Sequence, residues 1–298
     1  MTDPDAPQPH AVDVSTRNRL ESLKEAIDAY ADLLCDHAAP HPGSDFLEEE
    51  GKLSIRSPHE VATVVALNAL DHLRLIADHA LASSRITAFA SFTLVRSAIT
   101  AAGLAGWLLA AEDSKERLRR TLVITHYELS NARTAAREID GQFRDDTEGN
   151  ASYNQRLAAV KRVIANYTSQ IEKIETDAVN LEIAPGRSKD ELKVISSKPS
   201  DTDIIREATK LISVDLDYYH EFGVAKEVLR IWRTMSAHAH GLSWAAELTA
   251  TVTTEADGAI LTTWNPQGED LLQGIQVAWD LMYGATVRYI ELLGAQPE

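Results

Sequence analysis

The chain is poor in cysteine, glycine and proline, and each shortage removes a class of structure. It has one cysteine, Cys35, in 298 residues. No intramolecular disulfide can form and no multi-cysteine zinc site can assemble. A single thiol in a chain of this length points to a reducing compartment, so a cytoplasmic location is expected. With only 14 glycines and 10 prolines, few backbone breakers stand in the way of long helices. The phosphate-cradling pattern G-x-x-x-x-G-K-[ST], the dinucleotide pattern G-x-G-x-x-G, the nucleophile pattern G-x-S-x-G and the zinc pattern H-E-x-x-H are all absent. No cofactor and no metal are expected. Residues 1–10, MTDPDAPQPH, lack a basic and then apolar leader, which argues against a secretory signal and predicts a disordered acidic tail over residues 1–14.

What is present is ordinary globular composition, 44% hydrophobic and 25% charged, which excludes a disordered or fibrous chain. The formal net charge is −16. It disfavours broad binding to nucleic acid or anionic lipid, so neither DNA nor a membrane is expected as a partner. The charge is uneven. Residues 1–60 hold 13 acids against 5 Lys/Arg and residues 241–298 hold 8 against 1, whereas residues 115–162 hold 10 Lys/Arg against 7 acids. An RNA or other anionic partner would need a local basic patch, drawn from Arg117–Arg120 or from Lys189, Lys193 and Lys198. Arg117, Arg119 and Arg120 open a helix, where the backbone dipole disfavours positive charge. That predicts an anionic neighbour, most simply the acidic tail or the acidic loop containing Glu48–Glu50.

Residues 86–111 are long and apolar enough to span a bilayer. Arg96 near the middle and the richness in Ala, Ser and Thr argue instead for the central helix of a bundle. Apolar residues at helical spacing predict further helices over about 15–37, 58–82, 115–143, 153–181, 201–212, 224–240 and 268–293. Ser57-Pro58 and Asp113-Ser114 are capping starts, and Gly241 is a stop. The period changes to two at Leu248, Ala250, Val252 and Thr254, then, after Asp257-Gly258, at Ile260, Thr262 and Trp264. That pattern predicts a β-hairpin with a type I′ turn. The expected fold is mainly α: one multi-helix domain over 15–298, with 115–182 as a long antiparallel helical-hairpin insertion and a small β-hairpin before the last helix.

Residues 232–241, WRTMSAHAHG, carry the most chemistry. His238 and His240 are about 200° apart on a helix and cannot chelate one ion together. Arg233 and His240, seven residues apart, return nearly to one azimuth, and Ser236 lies between them on the same face. One stripe therefore presents a guanidinium that can hold a phosphate, a hydroxyl, and an imidazole that can exchange a proton near neutral pH. The other reading makes Arg233 and His240 hydrogen-bonded helix-end groups in a core. Arg96 interrupts an apolar helix and needs an anion. A carboxylate, Asp71 or Asp78, would serve; so would a ligand phosphate in a pocket shared with His240.

The spacing Arg-x4–6-His near the end of a late helix resembles the motif of HEPN-type ribonucleases, small helical domains that act as dimers. It occurs here as Arg233 with His238 and as Arg233 with His240. The phrase WRTMSAHAHG is also similar to the ending of uncharacterised helical bacterial families. Those families share an apolar helix like Leu94–Ala102 followed by Trp107-Leu108-Leu109. Thr234 stands where the ribonuclease motif has Asn, Asp or His, and Thr100 where the related families often carry Glu. The resemblance implies Arg233 and His240 as catalytic residues with Ser236 as an auxiliary donor, in a metal-independent endoribonuclease of a defence or toxin system. Read without it, the chain is a helical interaction or regulatory protein, expected as a homodimer. A small-ligand binder, with Arg96 and His238 or His240 as binding residues, is the third expectation.

Overall fold

Long runs with a 3.6-residue apolar period and few breakers fold here into helices. The computed structural model describes residues 14–36, 39–83, 88–144, 151–213, 223–242, 244, 250–254, 260–264 and 268–294. The helices are α1 (Val14–Asp36), α2 (Asp45–Glu49), α3 (Pro58–Ser83), α4 (Ala88–Leu109), α5 (Ser114–Arg144), α6 (Ala151–Asn180), α7 (Lys193–Ser196), α8 (Asp201–Ala208), α9 (Val224–Ala239) and α10 (Gly268–Leu293). A 3₁₀ turn, Thr209–Leu211, follows α8. Residues Ala250–Thr254 (β1) and Ile260–Trp264 (β2) pair antiparallel with Ala250 opposite Trp264. The expected turn at Asp257-Gly258 and nearly all of the expected acidic tail lie outside the described residues.

The helix starts follow their capping chemistry. The Ser57 N–H donates to Glu60 Oε2 at 2.8 Å and Ser57 Oγ accepts from the Glu60 N–H at 3.2 Å, a reciprocal box that opens α3. Asp113 Oδ1 accepts from the Glu116 N–H at 2.8 Å and opens α5. Two short helices, α2 and α7, form in segments expected as loop and linker. Four or five residues cannot show a periodicity, but Ser44 Oγ caps α2 by accepting from the Leu47 N–H at 3.3 Å.

The contacts divide the chain into two units: residues 1–40, 62–110 and 200–298, and residues 41–61 and 111–199. In the first, α4 packs mainly on α10, α8 and α9. Phe92, Val95, Ile99 and Leu108 of α4 are buried, as are Val228, Ile231 and Met235 of α9 and Leu271, Ile275 and Leu281 of α10. Glycines let these helices approach: a Cβ on Gly103 would lie 2.9 Å from Ile205 Cγ1, and one on Gly274 2.6 Å from Val95 Cγ1. The window Ala90–Leu109 has a mean hydropathy of 1.4, sufficient for a membrane span, yet 67% of it is buried against the rest of the protein, as suits a core helix. Lys24 and Asp28 of α1 pair with Asp78 and Arg74 of α3.

In the second unit α5 lies along α6, with α7 and α2 against α5. The first half of α5 (Leu118, Leu122, Val123, Ile124) and the second half of α6 (Ile171, Ile174, Ala178) are buried, and their other halves are largely exposed. Arg117, 1% exposed, is bonded by Nη2 and Nε to Glu49, which is fully buried, and by Nη2 to Asp45. The acidic loop thus supplies the anion that the basic helix start requires. Arg119 and Arg120 both pair with Glu116.

Candidate functional site

Helix α9 sorts its residues by azimuth. Val228, Leu229, Ile231, Met235, Ala237 and His238 face the core, while Arg230 and Arg233 face solvent. A Schellman closure ends the helix. The Gly241 N–H donates to the His238 carbonyl at 3.1 Å and the Leu242 N–H to the Ala237 carbonyl at 2.9 Å. Gly241 has φ +65°, a left-handed conformation that glycine adopts without a Cβ penalty. His240 is the C-cap residue and is exposed. Arg233 is exposed, Ser236 is half-buried, and neither the Arg233 nor the His240 side chain makes a hydrogen bond or ion pair among the described residues.

The two histidines separate as their spacing dictates. His238 is 3% exposed and stacks on Phe92 at 4.5 Å between ring centroids, with 18° between planes. Burial pushes its pKa below the ordinary histidine value, against an opposing pull from Asp270. His238, expected among the binding residues, lies buried against Phe92, because two residues along a helix turn it to the face opposite His240.

Arg96 is not the buried partner of a carboxylate. It is half-buried, and its Nε donates to Ser236 Oγ at 3.0 Å. Asp78 is taken by Lys24. The reason is helix packing: position 96 of α4 is turned toward α9, whereas Asp71 and Asp78 belong to α3. A second bond lies one turn away, from Trp232 Nε1 to Thr100 Oγ1 at 3.1 Å. The pairs 92 with 238, 96 with 236 and 100 with 232 run in opposite directions along the two chains, so α4 and α9 meet antiparallel along this seam. Sequence reading missed Trp232 and Thr100 as a pair. The available signal was a second polar residue, Thr100, one turn after Arg96 on an otherwise apolar helix.

The seam gathers two guanidinium groups and an imidazole around one hydroxyl. Arg96 reaches Ser236 across the seam, Arg233 lies one turn before it and His240 one turn after, at the roughly 5–6 Å Cβ spacing of helical neighbours. Such a face can bind an oxyanion. The Arg117–Arg120 group, by contrast, spends its charge on Glu49, Asp45 and Glu116 within the second unit. Among the described residues no cluster of three or more His, Cys, Asp or Glu could hold a metal ion. Comparison of the chain with family models, curated proteins and solved structures yields no match.

Proposed function

We propose that this chain is a helical interaction protein, acting as a homodimer, that receives an anionic partner at the C-terminal end of α9. The observation that carries the reading is the exposure of the Arg233 and His240 side chains without a partner among the described residues. Nearby exposed arginines behave otherwise: Arg230 pairs with Glu227 and Arg206 with Asp203. In a chain of net charge −16, acidic partners for a cation are plentiful, so a guanidinium left without one is available to an outside anion. Leu242 and Trp244, both exposed just beyond His240, add apolar surface beside the charge. The test is a titration of the full chain against single-stranded RNA and poly-glutamate, with sedimentation for the dimer. The reading expects saturable binding of at least one polymer, weakened by Arg233→Glu and by His240→Glu. Binding of neither, or equal binding by both variants, counts against it.

A second reading, a HEPN-like metal-independent endoribonuclease, is favoured by one feature. A guanidinium, a hydroxyl and an imidazole share a stripe, which suits a phosphate contact and proton transfer at a 2′-hydroxyl. It expects RNA degradation in EDTA, lost in Arg233→Ala and in His240→Ala. Absence of cleavage, or equal cleavage by all three proteins, removes it. On the architecture, we read residues 115–182 as an antiparallel helical hairpin inserted in the fold, and β1–β2 as a hairpin closed by Asp257-Gly258.

A further inference from the structure

We infer that Arg96 and Arg233 form a two-guanidinium clamp for a phosphate oxyanion, with Ser236 as its central donor. This rests on the anionic-partner reading and narrows it to phosphate chemistry. A guanidinium carries five N–H donors in a fixed fork. Arg96 uses only Nε, on Ser236, and its remaining donors have no acceptor among the described residues. The side chain is half-buried, so water satisfies it incompletely, and a partly desolvated cation of this kind calls for an anion. Because Nε is tied to α9, the fork of Arg96 is held beside the turn that carries Arg233.

Ser236 itself departs from its neighbours. Thr100 and Thr234 donate their hydroxyls to the carbonyls four residues back, as do Ser97 and Thr286. Ser236 instead accepts from Arg96, and its own proton has no acceptor among the described residues. The seam therefore offers an unspent hydroxyl donor between two unspent guanidinium groups. A phosphate presents three or four oxygens and so can accept from both forks and from the hydroxyl together, whereas a carboxylate has only two oxygens to share among the three. Trp232, anchored on Thr100, fixes the register of the two helices and so the spacing of the clamp. A phosphate could reach this site as the free ion or as part of an RNA backbone.

The experiment follows Arg Nε–H correlations in 15N NMR spectra of the full chain while inorganic phosphate, a short 2′-O-methyl oligoribonucleotide or poly-glutamate is added. The 2′-O-methyl groups prevent cleavage, so binding is read alone. The clamp expects the Arg96 and Arg233 signals to shift together with phosphate or oligonucleotide, and the affinity to fall about tenfold or more in Arg96→Gln and in Arg233→Gln. Arg96→Lys keeps the charge but loses the fork, and should also weaken binding; it serves as the control if Arg96→Gln does not fold. Shifts with free phosphate indicate a small-ion site, whereas shifts with the oligonucleotide alone indicate a nucleic-acid backbone; both support the clamp. Phosphate binding that survives every Arg96 variant, or binding of poly-glutamate without either phosphate probe, overturns the clamp and leaves the broader reading intact. Loss of neither probe on changing Arg233 overturns both.

Discussion

At the scale of single residues, the buried pair of Arg117 and Glu49 and the half-buried Arg96 make opposite predictions. Glu49→Ala leaves a guanidinium that is 1% exposed with only the exposed carboxylate of Asp45, and should cost about 3 kcal/mol in urea unfolding. The double change Glu49→Ala, Arg117→Met should cost much less, because no charge is left unpaired. Arg96→Ala removes one bond to a neutral hydroxyl from a partly hydrated side chain. It should cost only about 1 kcal/mol, a shift of roughly 2–4 °C in a thermal melt. A loss of several kcal/mol there would indicate a buried ion pair. His238 adds a pH dependence. Burial lowers its folded pKa below the ordinary 6.5, so below that pH the unfolded chain takes up a proton that the folded chain resists. Stability therefore falls as pH drops through 6.5 toward the folded value, and hydrogen exchange of α9 should quicken over that window. The effect should shrink in His238→Asn. His126, also held below 6.5 by burial and by Arg133, adds the same sign in the second unit.

At the scale of elements, helix starts and close helix contacts carry the stability. Ser57→Ala removes the acceptor of the α3 box and should cost about 1 kcal/mol. Gly284 of α10 is more demanding. A Cβ there would lie 2.5 Å from the Leu211 carbonyl oxygen, a backbone atom that cannot step aside as a side chain tip can. Gly284→Ala should cost about 1–3 kcal/mol by overpacking, measured by circular dichroism melts. An unchanged melt would show that the 3₁₀ turn gives way freely.

At the scale of the whole molecule, the net charge of −16 sets what the protein ignores. Counterion release supplies most non-specific binding to duplex DNA, and it needs many cations aligned on one surface. The clamp offers two guanidinium groups. Gel shifts with random duplex DNA at physiological salt should show no complex, and any binding of a phosphate polymer should have a shallow salt dependence, corresponding to about two neutralised phosphates. A steep dependence would place the contact on a larger basic surface.

The sequence by itself determined the long helices, because an apolar period sustained over twenty or more residues has one economical solution. It determined the caps at Ser57 and Asp113, and the separation of His238 from His240, which follow from local geometry of 100° per residue. It also predicted an anionic neighbour for Arg117, since a buried or dipole-opposed cation requires one. Tertiary structure alone decided the partner of Arg96. Helix α4 is apolar nearly all round, so its sequence holds no azimuth signal and does not tell which neighbour its arginine meets. Packing turned that arginine to α9 and Ser236 instead of α3 and Asp78. The same packing paired Trp232 with Thr100. Periodicity says which face of a helix is buried, but the neighbour that covers each face is fixed by the fit of all the helices together.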